Sequence, residues 1–134
     1  MKKLLATLSE KVPAETQQQI EVWRPALLIA AAAHDIGHRA PRSHLAEKAL
    51  PLGNGRSHEL IGVRIIEQDA EVRSLLDSFS PSLAAQVAGI IKEDSSIPHW
   101  VRQTVSGSCW NVDRGNWIVL DSVVTGLRKG FYDI

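Results

Sequence analysis

An apolar, alanine-rich run that ends on two ionisable residues constrains the fold of this chain most. Residues 26–36 form the longest apolar run, and His34 and Asp35 stand side by side at its end. Pro25 suits the first position of a helix, and a helix that is apolar on every side belongs in the interior. We therefore predict a buried central helix from Pro25 to Asp35, with Gly37 supplying the conformation that ends it. An unpaired buried charge is very costly, so these two groups need a partner, and a divalent cation suits both imidazole and carboxylate.

The rest of the chain also shows helical rather than alternating hydrophobic spacing, and it has no internal repeat or low-complexity tract. Val72, Leu75, Leu76 and Phe79, for example, recur at intervals of three and four residues. We predict an all-α domain of about seven to eight helices. Besides the central helix, the hydrophobic pattern marks candidate helical segments over residues 1–12, 14–22, 44–49, 69–79, 81–93, 98–106 and 112–126, and one more segment begins at Ser57.

Composition narrows the class of protein. At 134 residues the chain is long enough for one hydrophobic core, and we predict a single domain over residues 1–134. Fifteen basic and fifteen acidic residues cancel, so no basic footprint of a nucleic-acid binder is present. The single Cys109 fits a reducing compartment, and no segment has the length of a signal-peptide core or a membrane span. We expect a cytoplasmic protein without nucleic-acid or membrane partners.

Four of the five histidines fall within 25 residues, and three segments in order carry the polar groups. These segments are His34-Asp35-Ile36-Gly37-His38 with Ser43-His44-Leu45-Ala46-Glu47, then Ser57-His58-Glu59-Leu60, then Asn111 to Trp117 with Asp121-Ser122 and Thr125-Gly126. Together they resemble the motifs of the HD superfamily of metal-dependent phosphohydrolases, nearest its deoxynucleoside triphosphate triphosphohydrolase-like branch. The resemblance covers roughly residues 26–134, while residues 1–24 match poorly. It implies an HD-domain-like helical bundle.

The resemblance assigns three residues to a divalent metal ion. His34 and Asp35 are neighbours at one helix end, so a third ligand has to come from another element, and Asp113 opens a later helix. A cation held in this way is a Lewis acid that polarises a phosphoryl oxygen and lowers the pKa of a bound water. Mn, Mg, Fe, Ni and Zn all remain candidates.

Four further residues receive catalytic roles from the same resemblance. The histidine that matches His44 acts near the leaving oxygen as general acid, and Glu47 supports it from the same helix face. The positions of His38 and His58 help to hold phosphates.

Three residues near the end of the chain are implied to bind substrate. Arg114 resembles a basic residue that binds the phosphate tail, and Trp117 and Asp121 match positions that contact the base or sugar. The usual tyrosine is tryptophan here, which keeps a stacking face and removes the hydroxyl. The implied activity is hydrolysis of nucleotides or other phosphate esters, including release of triphosphate from a deoxynucleoside triphosphate.

The sequence also departs from the family pattern. The family's metal site begins with a histidine on an earlier helix, but none precedes His34, and only Glu15 and Glu21 offer substitutes there. Three explanations stay open: a truncated piece of a larger enzyme, a site completed by a carboxylate or a partner subunit, and a degenerate HD domain. The degenerate domain would be a non-catalytic nucleotide-binding or regulatory module. A helical interaction subunit that forms a homo-oligomer is a further alternative.

Overall fold

Seven α-helices make up the part of the chain that the structure describes. This computed structural model describes residues 1–38, 57–108 and 111–127, and these contain no strand, which confirms the all-α prediction. The helices are α1 (Lys2–Lys11), α2 (Ala14–Ala33), α3 (Ser57–Gln68), α4 (Ala70–Phe79), α5 (Leu83–Ile91), α6 (His99–Ser106) and α7 (Val112–Thr125). The helix predicted over residues 44–49 lies outside the described residues.

Helices α2 and α5 form the centre of the bundle. Helix α5 packs against α2, α3, α4 and α6, and α2 also packs against α1 and α6. Both central helices are rich in alanine and aliphatic residues, so close helix packing buries them without unpaired polar groups. The fully buried large side chains are Leu5, Leu27, Ile66, Leu83, Val87, Ile90, Ile91, Val101 and Val105.

The central helix is longer than predicted. We predicted separate helices before and after Pro25, but the structure shows one continuous helix, α2, with Pro25 inside it. An interior proline costs about 3 kcal/mol because it removes one hydrogen bond and crowds the preceding turn. Ile20 and Leu27 are both buried on α2, and burial of each such side chain contributes roughly 1.5–3 kcal/mol. Burial on both sides of the proline therefore outweighs the local penalty.

No described helix has the length and hydropathy needed to cross a membrane.

The helix predicted over residues 81–93 is shorter at both ends. Ser82 adopts a left-handed conformation with φ 64°, and α5 begins only at Leu83. At the other end α5 stops at Ile91, and Glu93 is also left-handed with φ 58°. A positive φ is uncommon for residues other than glycine, so packing has to hold both turns in place.

Helix α4 buries fewer of its apolar side chains than we expected from their three- and four-residue spacing in the sequence. Its N-cap is Asp69, whose carboxylate accepts hydrogen bonds from the Glu71 and Val72 amides, both at 3.0 Å. Leu75 and Phe79 remain 61% and 75% exposed. The helix therefore lies at the surface of the bundle.

Helix α7 packs on α6 and presents most of its apolar side chains to solvent. Trp117 is 53% exposed, and Val123 and Val124 are each 76% exposed. Asn111, the polar residue immediately before the helix, is by contrast only 4% exposed. Its side-chain oxygen accepts a hydrogen bond from the Arg114 amide at 2.8 Å, and its Nδ2 donates to the Gly107 carbonyl at 2.6 Å. Asn111 therefore fixes where α7 begins.

We expect Asn111→Asp to destabilise the protein, although aspartate is as common as asparagine at helix N-caps. An ionised aspartate still accepts from the Arg114 amide, but it cannot donate to the Gly107 carbonyl, so two acceptors would face each other in a buried place. The expected loss is about 1–3 kcal/mol in the free energy of unfolding. Chemical denaturation of both proteins checks this, with Asp121→Asn as an exposed control on the same helix. A variant as stable as the wild type would contradict it.

Candidate metal centre

The turn that follows α2 carries the first group of candidate ligands, and it lies directly against α3. Gly37 is buried, and a Cβ placed on it would lie 1.9 Å from the His58 carbonyl oxygen and 2.5 Å from the Gly62 amide nitrogen. We predicted that the central helix runs to Asp35 and that Gly37 ends it, but the helix already stops at Ala33, and the φ of Gly37 is not positive. Its missing side chain is needed because two backbones approach closely, and this approach brings Asp35 and His58 together.

His34 is held with one ring nitrogen aimed at two carboxylates. Its Nδ1 lies 3.1 Å from the Ala31 carbonyl, and a carbonyl can only accept, so Nδ1 carries the proton of this hydrogen bond. Nε2 then lies 3.3 Å from Asp35 Oδ2 and 3.2 Å from Asp113 Oδ1. In a neutral ring this nitrogen is itself an acceptor, so three acceptors converge. A cation between them, or a second proton on the ring, resolves the repulsion.

Asp35 belongs to two groups of candidate ligands. Its Oδ2 faces His34, whereas its Oδ1 lies 3.3 Å from His38 Nε2 and 3.9 Å from His58 Nε2. Within the described residues, the candidate cation sites are His34 with Asp35 and Asp113, and Asp35 with His38 and His58. The His38 and His58 rings stack with centroids 3.9 Å apart.

Two cavities adjoin these groups, and His34 and Asp113 line both. The large cavity has a volume of about 410 Å³, and its other lining residues are Met1, Lys2, Leu28, Ala31, Ala32, Val105, Val112 and Asn116. The small cavity has a volume of about 170 Å³, and its other lining residues are Asp35, His58, Glu59, Ile91, Glu93, Ser106, Gly107, Asn111 and Arg114. The candidate metal centre is therefore reachable from two sides.

The residues implied to bind substrate all belong to α7, but they differ in their distance from the centre. Arg114 lines the small cavity and donates from Nη1 to the Ser108 carbonyl at 2.6 Å. Trp117 and Asp121 follow Asp113 by four and eight residues, which is about 6 and 12 Å along the helix. Both are exposed, and neither lines the two cavities at His34. The implied catalytic residues His44 and Glu47 lie outside the described residues.

The two upstream carboxylates considered as substitute ligands also lie away from the centre. Glu15 is exposed, and Glu21 forms an ion pair with Arg24 on the surface. The hydrogen bond from the Arg24 guanidinium holds the pKa of the Glu21 carboxyl below its usual value. Neither residue lines the cavities at His34. Because Glu15 and Glu21 do not add a ligand, each candidate cation site has three protein ligands among the described residues.

Three residues that line the small cavity were not predicted as site residues from the sequence. Glu59 Oε2 and Ser106 Oγ are buried, and neither has a hydrogen-bond partner. Glu93 lies on the same cavity in its left-handed conformation. The adjacency of Glu59 to His58 was the only signal available in the sequence, because a buried orphan atom or a positive φ depends on tertiary packing.

Comparison with known proteins identifies the family of the chain. Residues 1–98 match the HD domain, and the match includes His34, Asp35, His38 and His58. It ends before α7, so the placement of Asp113 beside His34 is a finding of the structure alone. No curated protein and no solved structure matches the chain. Because the matched residues cover well over half of the sequence, this chain belongs to the HD domain family.

Proposed function

We propose that the chain is a divalent-metal-dependent phosphohydrolase that acts on nucleotides, with release of triphosphate from a deoxynucleoside triphosphate as its specific reaction. Membership in the HD domain family supports metal-dependent phosphoester hydrolysis in general. The nucleotide substrate and the triphosphate product rest on the motif resemblance around Asp113 and Arg114.

The observation that carries the proposal is the convergence of acceptors on His34. Its Nδ1 is occupied by the Ala31 carbonyl, which leaves the Nε2 lone pair facing Asp35 and Asp113. Metal-binding histidines commonly donate their other N–H to a carbonyl in this way, which fixes the tautomer and the ring orientation. The donor set of one imidazole and two carboxylates suits first-row divalent metals. The residues present therefore fit a metal ion.

In this proposal each group at the centre has a defined task. His34, Asp35 and Asp113 hold the cation, which supplies Lewis acidity at a phosphoryl oxygen. Arg114 binds the phosphate tail through its guanidinium, which is well matched to phosphate oxygens. His38 and His58 hold phosphate oxygens beside Asp35, and His44 protonates the leaving oxygen with support from Glu47. Trp117 and Asp121 contact the base or sugar.

The test is turnover of each ribo- and deoxyribonucleoside triphosphate with manganese or magnesium, with products separated by ion-exchange chromatography. We expect triphosphate and nucleoside from at least one substrate. Asp113→Asn should lower the rate at least about a thousandfold, because a Lewis-acid metal contributes several kcal/mol to transition-state stabilisation. Glu71→Gln, an exposed change on α4, should leave the rate unchanged. A folded wild-type protein that hydrolyses none of these nucleotides would refute the proposal.

A non-catalytic nucleotide-binding module is the second candidate, and the three-ligand composition of each candidate cation site favours it. Such a module would be stabilised by a nucleotide without any metal, because a ligand that binds only the folded state raises the melting temperature. Melting curves with each nucleotide in the presence of a chelator test this candidate. No shift with any nucleotide would exclude it.

A further inference from the structure

Helix α7 has an apolar side that faces solvent. The buried residues of this helix are small, Gly115 and Ser122, and they lie on one side of it. A helix turns by about 100° per residue, so the large apolar residues lie on the opposite side. These residues are Trp117, Leu120, Val123 and Val124. Their exposed fractions range from 49% to 76%, and Leu127, just beyond the end of the helix, is 52% exposed. We call these five residues the α7 face.

The α7 face has the apolar area that a stable protein contact requires. Its five side chains present roughly 400 Å² of apolar surface to solvent. A standard interface buries about 800 Å² per partner, and a little over half of that, about 450 Å², is apolar. Single apolar residues are normal on a protein surface, whereas a patch of this size on one helix marks an interaction site.

The charges of α7 favour a protein rather than a lipid surface as the occupant of this face. Between residues 117 and 127 the only charged residue is Asp121. The core of a protein interface is depleted of charge in the same way. A helix that lies on a membrane carries lysine and arginine along its polar side, whereas α7 has Asp113 and Asp121 against Arg114 alone.

We propose that the α7 face binds the α7 face of a second copy of the chain in a two-fold symmetric dimer. A two-fold contact is self-complementary, so one apolar face on each copy covers the other. Trp117, Leu120 and Val124 recur at intervals of three and four residues, which is the spacing of a seam between two helices. The formal net charge of zero leaves no overall repulsion between the copies.

Trp117 lies at the end of the α7 face that is nearest Asp113. The dimer contact therefore borders the candidate metal centre. At this edge Trp117 belongs to the rim of the contact, which stays accessible to solvent and to a substrate. The dimer itself needs neither a metal ion nor a nucleotide, so the inference does not depend on the proposed function.

The test is the mass of the full chain in solution, measured by sedimentation velocity over a wide range of protein concentration in the presence of a chelator. We expect a reversible dimer for the wild type. Val123→Glu should weaken the association at least about a hundredfold, because it would bury a carboxylate in an apolar contact. Val123 is 76% exposed in the single chain, so the variant should fold and keep the far-ultraviolet circular dichroism of the wild type.

Phe79→Glu is the matched control, because Phe79 is an equally exposed apolar residue, at 75%, on a different helix, α4. This variant should dimerise like the wild type. Hydrogen exchange of residues 117–127 should also be slower at concentrations that favour the dimer, since a covered helix opens less often. Val123→Glu should not show this dependence on concentration.

A wild-type chain that stays monomeric at every concentration would overturn the inference. Slow exchange of residues 117–127 in that monomer would assign the α7 face to another part of the same chain. Binding of the monomer to neutral or anionic phospholipid vesicles would assign it to a lipid surface. A dimer that persists in Val123→Glu, or one that is lost equally in Phe79→Glu, would also refute the contact.

Discussion

Asp35→Asn is expected to abolish divalent-cation binding, because Asp35 is shared by both candidate cation sites. One of its oxygens lies 3.3 Å from His34 Nε2 and the other 3.3 Å from His38 Nε2. The amide keeps the shape but loses the charge and turns one acceptor into a donor. Loss of even an outer partner of a metal ligand lowers affinity about 10–100-fold, so loss of a shared ligand should lower it more than a hundredfold. Elemental analysis of protein purified without chelator, followed by calorimetric titration with manganese, measures this.

Two companion variants show which group of ligands holds the ion. Asp113→Asn removes a ligand only from the group with His34, and His58→Gln removes one only from the group with His38. We expect about one metal per wild-type chain, none in Asp113→Asn and near-normal content in His58→Gln. The opposite result for these two would move the ion to the second group. Metal retained in Asp35→Asn would contradict both assignments.

The Asp35→Asn protein should fold normally, which separates loss of metal from loss of structure. The Asp35 side chain is 48% exposed, so its charge contributes little to the core. The amide has the same shape as the carboxylate, so the replacement leaves no gap. The melting temperature of the metal-free variant should therefore be close to that of the metal-free wild type.

The helical architecture was predictable because apolar residues recur at intervals of three and four along most of the chain. Leu83, Val87, Ile90 and Ile91 recur at helical spacing within the helix predicted over residues 81–93, and all four are buried. The break at Pro25 was wrong for an equally physical reason. A local rule about proline says nothing about the burial of Ile20 and Leu27 on either side of it, which only the folded bundle provides.

The candidate site was predictable only as far as its motifs extend. The structure brings His34, Asp35 and Asp113 together, as the resemblance implied, although their roles as metal ligands remain a proposal. The wall formed by Ser106 and Glu93 could not be predicted, because these residues belong to no motif. Their place at the centre depends on where α5 and α6 end, and element ends are the least predictable part of a helix.

Gly37→Ala is expected to cause a severe loss of stability, because Gly37 lies where the backbones of the turn and of α3 approach each other closely. The added Cβ would lie 1.9 Å from the His58 carbonyl oxygen and 2.5 Å from the Gly62 amide nitrogen, and neither backbone atom can turn aside as a side chain can. Overpacking a core costs about 1–3 kcal/mol, and a clash with fixed backbone should lie at or above the top of that range. For a chain of this size we expect the melting temperature to fall by about 10 °C or more.

Gly62→Ala is the matched control across the same contact. Its Cβ would meet Ile36 Cγ2 at 3.2 Å, the end of a side chain that can shift, and alanine is favoured over glycine inside a helix by about 1 kcal/mol. We expect a small net change in stability for this variant. Gly37→Ala should in addition lose metal, because the turn that bears Asp35 has to move away from α3. Equal melting temperatures for the two variants would mean that the turn and α3 do not approach each other as described, and that Asp35 and His58 are not neighbours.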